Sequence, residues 1–184
     1  ILPFALATLH RPNNVDVLDN FTGILEALEE IQKHLKIIYP MHPRTRANIE
    51  KFGLCKRFSF LDAAESASRD SGIVILNPLG YLDFVKLMSE AKLVLTDSGG
   101  IQEETTVLGV PCLTLRENTE RPVTVTQGSN SIVGTKKNNV VKAALEIITT
   151  ACKKVTIPDK WDGFAAKRII DILNPVQKVV ESLM

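Results

Sequence analysis

The chain of 184 residues is poor in aromatic side chains, 5% of the total, and carries almost no surplus charge, with 22 Lys and Arg against 21 Asp and Glu. Without a basic excess there is no electrostatic drive toward nucleic acid or an anionic membrane surface, so neither is expected as a partner. The three cysteines, Cys55, Cys112 and Cys152, form no C-x-x-C pair and are odd in number. Nothing in that pattern suggests a disulfide framework or a metal site, and a reducing, cytoplasmic setting is the default expectation. Cys112 lies in an apolar run and reads as a small core residue. No apolar run reaches the roughly 18 residues of a membrane-spanning helix, and no basic-then-apolar leader opens the chain. Missing too are G-x-S-x-G, the P-loop lysine, G-x-G-x-x-G and H-E-x-x-H. Acyl transfer, P-loop chemistry, nicotinamide redox and zinc hydrolysis therefore lack their signatures, and no cofactor or metal is expected.

What is present is an alternation of apolar strands and amphipathic helices. Residues 4–9 (FALATL) are apolar enough for a strand buried on both faces. In residues 17–35, Leu18, Phe21, Leu25, Leu28 and Ile31 fall at spacings of three and four, one face of a helix. Strands are expected at 36–41, 73–76, 93–97, 111–116 and 131–134. Helices are expected at 42–53 with Gly53 at its end, 81–91, 101–109 stopped by Gly109, and 139–152. A loop and short helix separate the strands at 111–116 and 131–134. Trp161-Asp-Gly opens the last helices, interrupted at Pro175, while 54–72 gives no clear pattern. Strands separated by helical stretches of about 10–15 residues mean βαβ units and a parallel sheet. The fold class is α/β, five or six units in one doubly wound domain spanning 1–184. The chain opens on Ile1 and runs at once into a strand, so it is expected to be part of a longer protein.

In such sheets ligands sit beyond the carboxyl ends of the strands. The residues there are polar: His10-Arg11, His42-Pro43-Arg44, Pro78-Leu79-Gly80, Asp97-Ser98-Gly99-Gly100, and Arg116 onward to Arg121. A helix start with two glycines suits a phosphate, because free N–H groups carry partial positive charge and no Cβ blocks the approach. The same residues also read as a plain capped turn, with Asp97 or Ser98 as cap and the glycines relieving turn strain. Glu103 and Glu104, placed in the first helical turn, complement the macrodipole. A carboxylate one turn beyond a phosphate also suits the paired hydroxyls of ribose. His10 and His42 suit proton donation to a phosphate and Arg11 a diphosphate clamp; each alone reads as an ordinary loop residue. Glu120 reads as a partner for Arg121, and Tyr81, Phe84 and Trp161 as packing residues.

Taken together, TLHRPNNVD, YPMHPRT, NPLGYLDFVKLMSEAKLVLTDSGGIQEE, GVPCLTLRENTERPVTV and WDGFAAKRI resemble the UDP-N-acetylglucosamine 2-epimerases of the bacterial, non-hydrolysing type. The resemblance implies a Rossmann-like sheet forming the C-terminal half of a glycosyltransferase-B type fold, with the N-terminal domain outside this chain. It implies that Ser98, Gly99, Gly100 and Arg121 hold the diphosphate and Glu104 the ribose, with Leu79 and Phe84 bordering the uracil. His10 would stand at the reaction centre, with Arg11 and His42 on the same rim. The implied reaction interconverts UDP-GlcNAc and UDP-ManNAc by elimination and re-addition of UDP, with proton-abstracting carboxylates on the other domain. A homodimer supplying polysaccharide biosynthesis is implied for the full-length enzyme, and inactivity for this domain alone. A hydrolysing relative and a non-catalytic sugar-nucleotide-binding domain are the alternatives.

Overall fold

The computed structural model describes residues 3–55, 60–61, 71–150 and 156–174. Among these described residues, seven strands form one sheet: β1 (Phe4–Thr8), β2 (Lys36–Pro40), β3 (Phe60–Leu61), β4 (Ile73–Leu76), β5 (Leu93–Thr96), β6 (Cys112–Thr114) and β7 (Asn130–Ile132). Their order is β3-β4-β2-β1-β5-β6-β7, and every pairing is parallel. The helices are α1 (Pro12–Val15), α2 (Leu18–Ile31), α3 (Pro43–Lys51), α4 (Tyr81–Glu90), α5 (Gly99–Leu108), α6 (Pro122–Thr126), α7 (Lys137–Thr149) and α8 (Ala165–Leu173). The chain thus winds outward from β1 on one side, then returns to lay β5 on the other. Strand order reverses between β1 and β5.

Alternation along the central strands builds two cores. Ala5 and Ala7 of β1 face one side with Ile37, Tyr39, Leu93 and Leu95, under α2 and α7. Small residues on β1 leave room there for Phe21, Leu25 and Leu28 of α2, all fully buried. Side chains of this size contribute about 1.5–3 kcal/mol each when buried. Phe4, Leu6 and Val94 face the other side, against Met88 of α4 and Val110, with Phe84, Val85 and Ile101 packed on them.

The expected strands and helices that fall on described residues are present, displaced by a few residues at their ends. Gly53 and Gly109 stop α3 and α5 in the left-handed region, with φ of 67° and 71°. The ill-defined stretch at 54–72 supplies a short edge strand, β3, which is too brief to show a period. The expected break at Pro175 lies outside the described residues. Cys112 is fully buried, and desolvation pushes its thiol up to about 12, so it is an inert core residue as expected. Cys152 lies outside the described residues. None of the described helices is long and apolar enough to cross a membrane.

Candidate functional site

The carboxyl ends of β1 and β5 lie side by side at the point of reversal, paired through Thr8 and Thr96. His10 and Arg11 follow β1; Asp97, Ser98 and the start of α5 follow β5. Asp97 was expected to cap a turn, and the structure corrects that. Its fully buried carboxylate reaches across to the other strand end. It accepts from the backbone N–H groups of His10 (3.1 and 3.2 Å) and Arg11 (3.0 Å) and from Asn14 Nδ2 (3.1 Å). Nδ1 of His10 lies 3.1 Å from Oδ1 of the same carboxylate. Asn14 also donates to the Leu115 carbonyl at 2.8 Å, so the loop after β1 is pinned to the ends of both β5 and β6.

Ser98 is the N-cap of α5, but its side chain makes no capping hydrogen bond. Its own N–H donates to the Thr96 hydroxyl at 3.0 Å. Gly99 and Gly100 form the first helical positions, where N–H groups have no partner within the helix. Neither glycine has a positive φ, so turn strain does not explain them. Nor does crowding: a Cβ on Gly100 would meet nothing within 4 Å, and one on Gly99 only a Glu120 oxygen at 3.9 Å. Neither backbone conformation nor packing among the described residues requires the two glycines, and they leave the first N–H groups of α5 open to approach.

Because α5 begins at Gly99, Glu103 and Glu104 stand in its second turn and not the first, and no acidic residue lies in the first turn. The macrodipole falls off within one turn, so it does not account for them. Glu103 pairs with Arg121 at 2.7 Å. Glu104 accepts a hydrogen bond from Tyr81, whose hydroxyl it pushes up in pKa by its charge. The expected Glu120–Arg121 pair is therefore wrong. Glu120 is instead gripped by both arms of Arg116, at 2.7 and 2.8 Å, with Arg11 at 4.0 Å. That grip, chiefly the hydrogen bonds from Arg116, lowers the Glu120 carboxyl to about 2.

His42, expected on the rim, uses Nδ1 to accept from the Arg44 N–H at 3.1 Å and so caps α3. The Thr45 hydroxyl donates to the Leu9 carbonyl at 2.9 Å, drawing this helix start beside His10. Arg44 itself is committed to Asp16. Leu79 is 37% exposed in the turn before α4, while Phe84 is half-buried against the Phe4–Leu6 core. Tyr81 is 67% exposed and does not pack as a core aromatic. With Trp161, Glu103, Glu104, Val85 and Val107 it lines an open cavity of about 320 Å³ beside α5.

Behind the cradle lies a buried polar network that no pattern in consecutive residues announces. Gln102 Nε2 donates to the Ser98 carbonyl at 3.1 Å, and its Oε1 accepts from Thr119 (2.5 Å) and Asn130 Nδ2 (3.1 Å). Asn130 in turn accepts from Thr114 at 2.7 Å and donates to Thr124 at 3.2 Å. One glutamine thus fixes the start of α5, β7 and the loop carrying Arg116 and Arg121. Among the described residues no cluster of three or more His, Cys, Asp or Glu is arranged to hold a metal.

A parallel sheet with a helix N-terminus at its switch point defines a Rossmann-like α/β domain, and folds of this class take nucleotides at that point. The match to known proteins is narrower still. Residues 2–174 match the model of the UDP-N-acetylglucosamine 2-epimerase family, and the chain belongs to that family. It is 41% identical to the UDP-N-acetylglucosamine 2-epimerase of Methanocaldococcus jannaschii over 93% of this chain and 44% of that protein. A Pseudomonas aeruginosa UDP-2,3-diacetamido-2,3-dideoxy-D-glucuronate 2-epimerase is 40% identical over 77% of this chain and 36% of its own length. The crystal structure of the M. jannaschii enzyme in complex with UDP-GlcNAc and UDP superposes with a TM-score of 0.79 at 39% identity, covering 94% of this chain and 45% of that one. The chain thus spans less than half the length of the relatives it matches.

Proposed function

We propose that this chain is the UDP-binding, C-terminal domain of a UDP-N-acetylglucosamine 2-epimerase, whose N-terminal domain lies outside it. The observation that carries the reading is the pair of glycines at the start of α5, which neither backbone conformation nor packing requires. The names of the two relatives share UDP and 2-epimerisation and differ in the sugar. A domain of similar sequence in enzymes that act on different sugars fits the UDP end of the substrate.

The chemistry follows from the placement of groups. The diphosphate sits on the N–H groups of Gly99 and Gly100 with the Ser98 hydroxyl, and Arg121 swings from Glu103 to meet it. Glu104 takes the two ribose hydroxyls, while Leu79 and Phe84 border the uracil. Elimination breaks the bond from C1 of the sugar to the diphosphate oxygen, and the electron pair leaves with UDP. A base on the other domain removes the proton from C2, leaving a glycal. Return of UDP to C1 and of a proton to the opposite face of C2 completes the inversion. The cradle lowers the barrier by stabilising negative charge as it develops on the departing diphosphate. His10, with Arg11 and His42 beside it, stands next to that leaving group.

On this reading the full-length enzyme converts UDP-GlcNAc to UDP-ManNAc in the cytoplasm as a homodimer, for polysaccharide synthesis, and this chain alone binds UDP without turnover. Calorimetric titration of the chain with UDP tests it. Saturable binding that weakens in both Ser98→Ala and Glu104→Ala is expected. Binding unchanged in both variants would sink the assignment of cradle and ribose clamp.

A further inference from the structure

The proposed function leaves one buried carboxylate without a part. Asp97 is fully buried, touches no ligand surface, and stands directly before the cradle residues Ser98 and Gly99. Its surroundings consist of donors. Oδ1 takes the His10 N–H at 3.1 Å and faces His10 Nδ1 at 3.1 Å. Oδ2 takes the N–H groups of His10 and Arg11 and the amide of Asn14, between 3.0 and 3.2 Å. Its charge is also felt by Tyr39, buried in the core, and by Arg116 at the rim. A carboxylate, which only accepts, fits this shell, whereas an amide would turn its NH2 against donors.

We propose that Asp97 is the positioning residue of His10, holding Nδ1 protonated so that Nε2 alone exchanges protons at the cradle. A bare Nδ1 lone pair 3.1 Å from a carboxylate oxygen would be repelled, so Nδ1 carries hydrogen whether the ring is neutral or cationic. The imidazole is 46% exposed, and with Nδ1 turned to the buried carboxylate, Nε2 is the nitrogen left for the cleft. The same residue directly precedes Ser98, the N-cap of α5, so its carboxylate ties the histidine loop to the strand end that leads into that helix. A carboxylate set beside one ring nitrogen, which disfavours a bare lone pair there, is a recurrent way to fix an imidazole tautomer and leave the other nitrogen to exchange protons. The role at a leaving group rests on the UDP reading; the tautomer does not.

Nitrogen-15 NMR of the imidazoles reads the tautomer directly, and the chain has only three histidines. His10 is assigned by the signal lost in His10→Gln. Free neutral imidazole side chains favour hydrogen on Nε2, so the expected Nδ1–H form of His10 is diagnostic. Asp97→Asn is expected to return His10 to the Nε2–H form. Asn14→Ala, which removes a different partner of Asp97, leaves it unchanged. A wild-type His10 found as Nε2–H overturns the proposal, and that spectrum needs no variant to fold. Adding UDP to the same sample separates the two claims. An Nδ1–H His10 in a chain that ignores millimolar UDP would refute the UDP reading alone. An Nε2–H His10 in a chain that binds UDP would refute the role of Asp97 alone.

Discussion

Replacing Gly100 by alanine separates the two reasons a helix can begin with glycine. If the residue served the backbone, its φ would be positive or its Cβ would collide; neither holds, and the nearest 4 Å around a built Cβ is empty. Alanine is therefore compatible with the fold and restricts the unfolded chain, a gain of about 0.4–1 kcal/mol. For a protein of this size that raises the melting temperature by about 1–4 °C. Binding moves the other way. A methyl group over the first N–H groups of α5 holds an anion off the backbone and removes one charge-assisted hydrogen bond, about 1.5–3 kcal/mol. The dissociation constant for UDP then rises roughly 10- to 150-fold. Melting curves and calorimetric titrations of the same two samples give both numbers. A variant that melts higher and binds UDP as the wild type does would remove the cradle from the proposed function. A variant that melts several degrees lower would show that the glycine is structural and that the empty space was misread.

Other consequences test the supports of the site. Gln102→Leu, by orphaning Thr119 and breaking the link to Ser98, should cost about 2–4 kcal/mol in urea denaturation and weaken UDP binding as the arginine loop loosens. Tyr39→Phe should leave the stability measured by urea denaturation unchanged or raise it by up to about 1 kcal/mol, because the fully buried hydroxyl has no hydrogen-bond partner among the described residues. Glu120 is a depressed carboxyl, so its pairing with Arg116 is intact above the ordinary carboxylate range and is lost only as pH falls toward about 2. Carbon-13 titration of the Glu120 carboxyl should therefore show no midpoint between pH 4 and 8. Finally, a thiol reagent added to the folded chain should modify exposed Cys55 and spare Cys112 until the protein unfolds.

Three errors in reading the site share one cause. Glu103 and Glu104 were assigned to a first turn because sequence does not fix where a helix begins to within a residue or two, and the two glycines count as helix. Asp97 was read as a local cap because caps are local and sequence shows only neighbours; its partners His10 and Arg11 lie more than eighty residues away. The pairing of Glu120 with Arg121 was the adjacent choice, whereas Arg116 four residues back reaches it and Glu103 draws Arg121 away. Gln102 and Asn14 gave no signal at all. A buried amide within a polar stretch looks like any solvated residue until the fold closes around it.

The sequence by itself determined the parallel α/β class, since apolar runs of strand length alternating with amphipathic stretches admit few other packings. It also determined the family, through long blocks such as LTDSGGIQEE, and the positions of Ser98, Gly99 and Gly100 directly after a strand. Those features are local, and local chemistry is written in consecutive residues. What only the tertiary structure decided is which strand ends meet. The sheet order puts β5 beside β1, and that adjacency turns two separate polar loops into one site with a shared buried carboxylate. Strand order depends on the balance of burial over the whole domain, on both faces of the sheet, and no segment of the chain carries it alone.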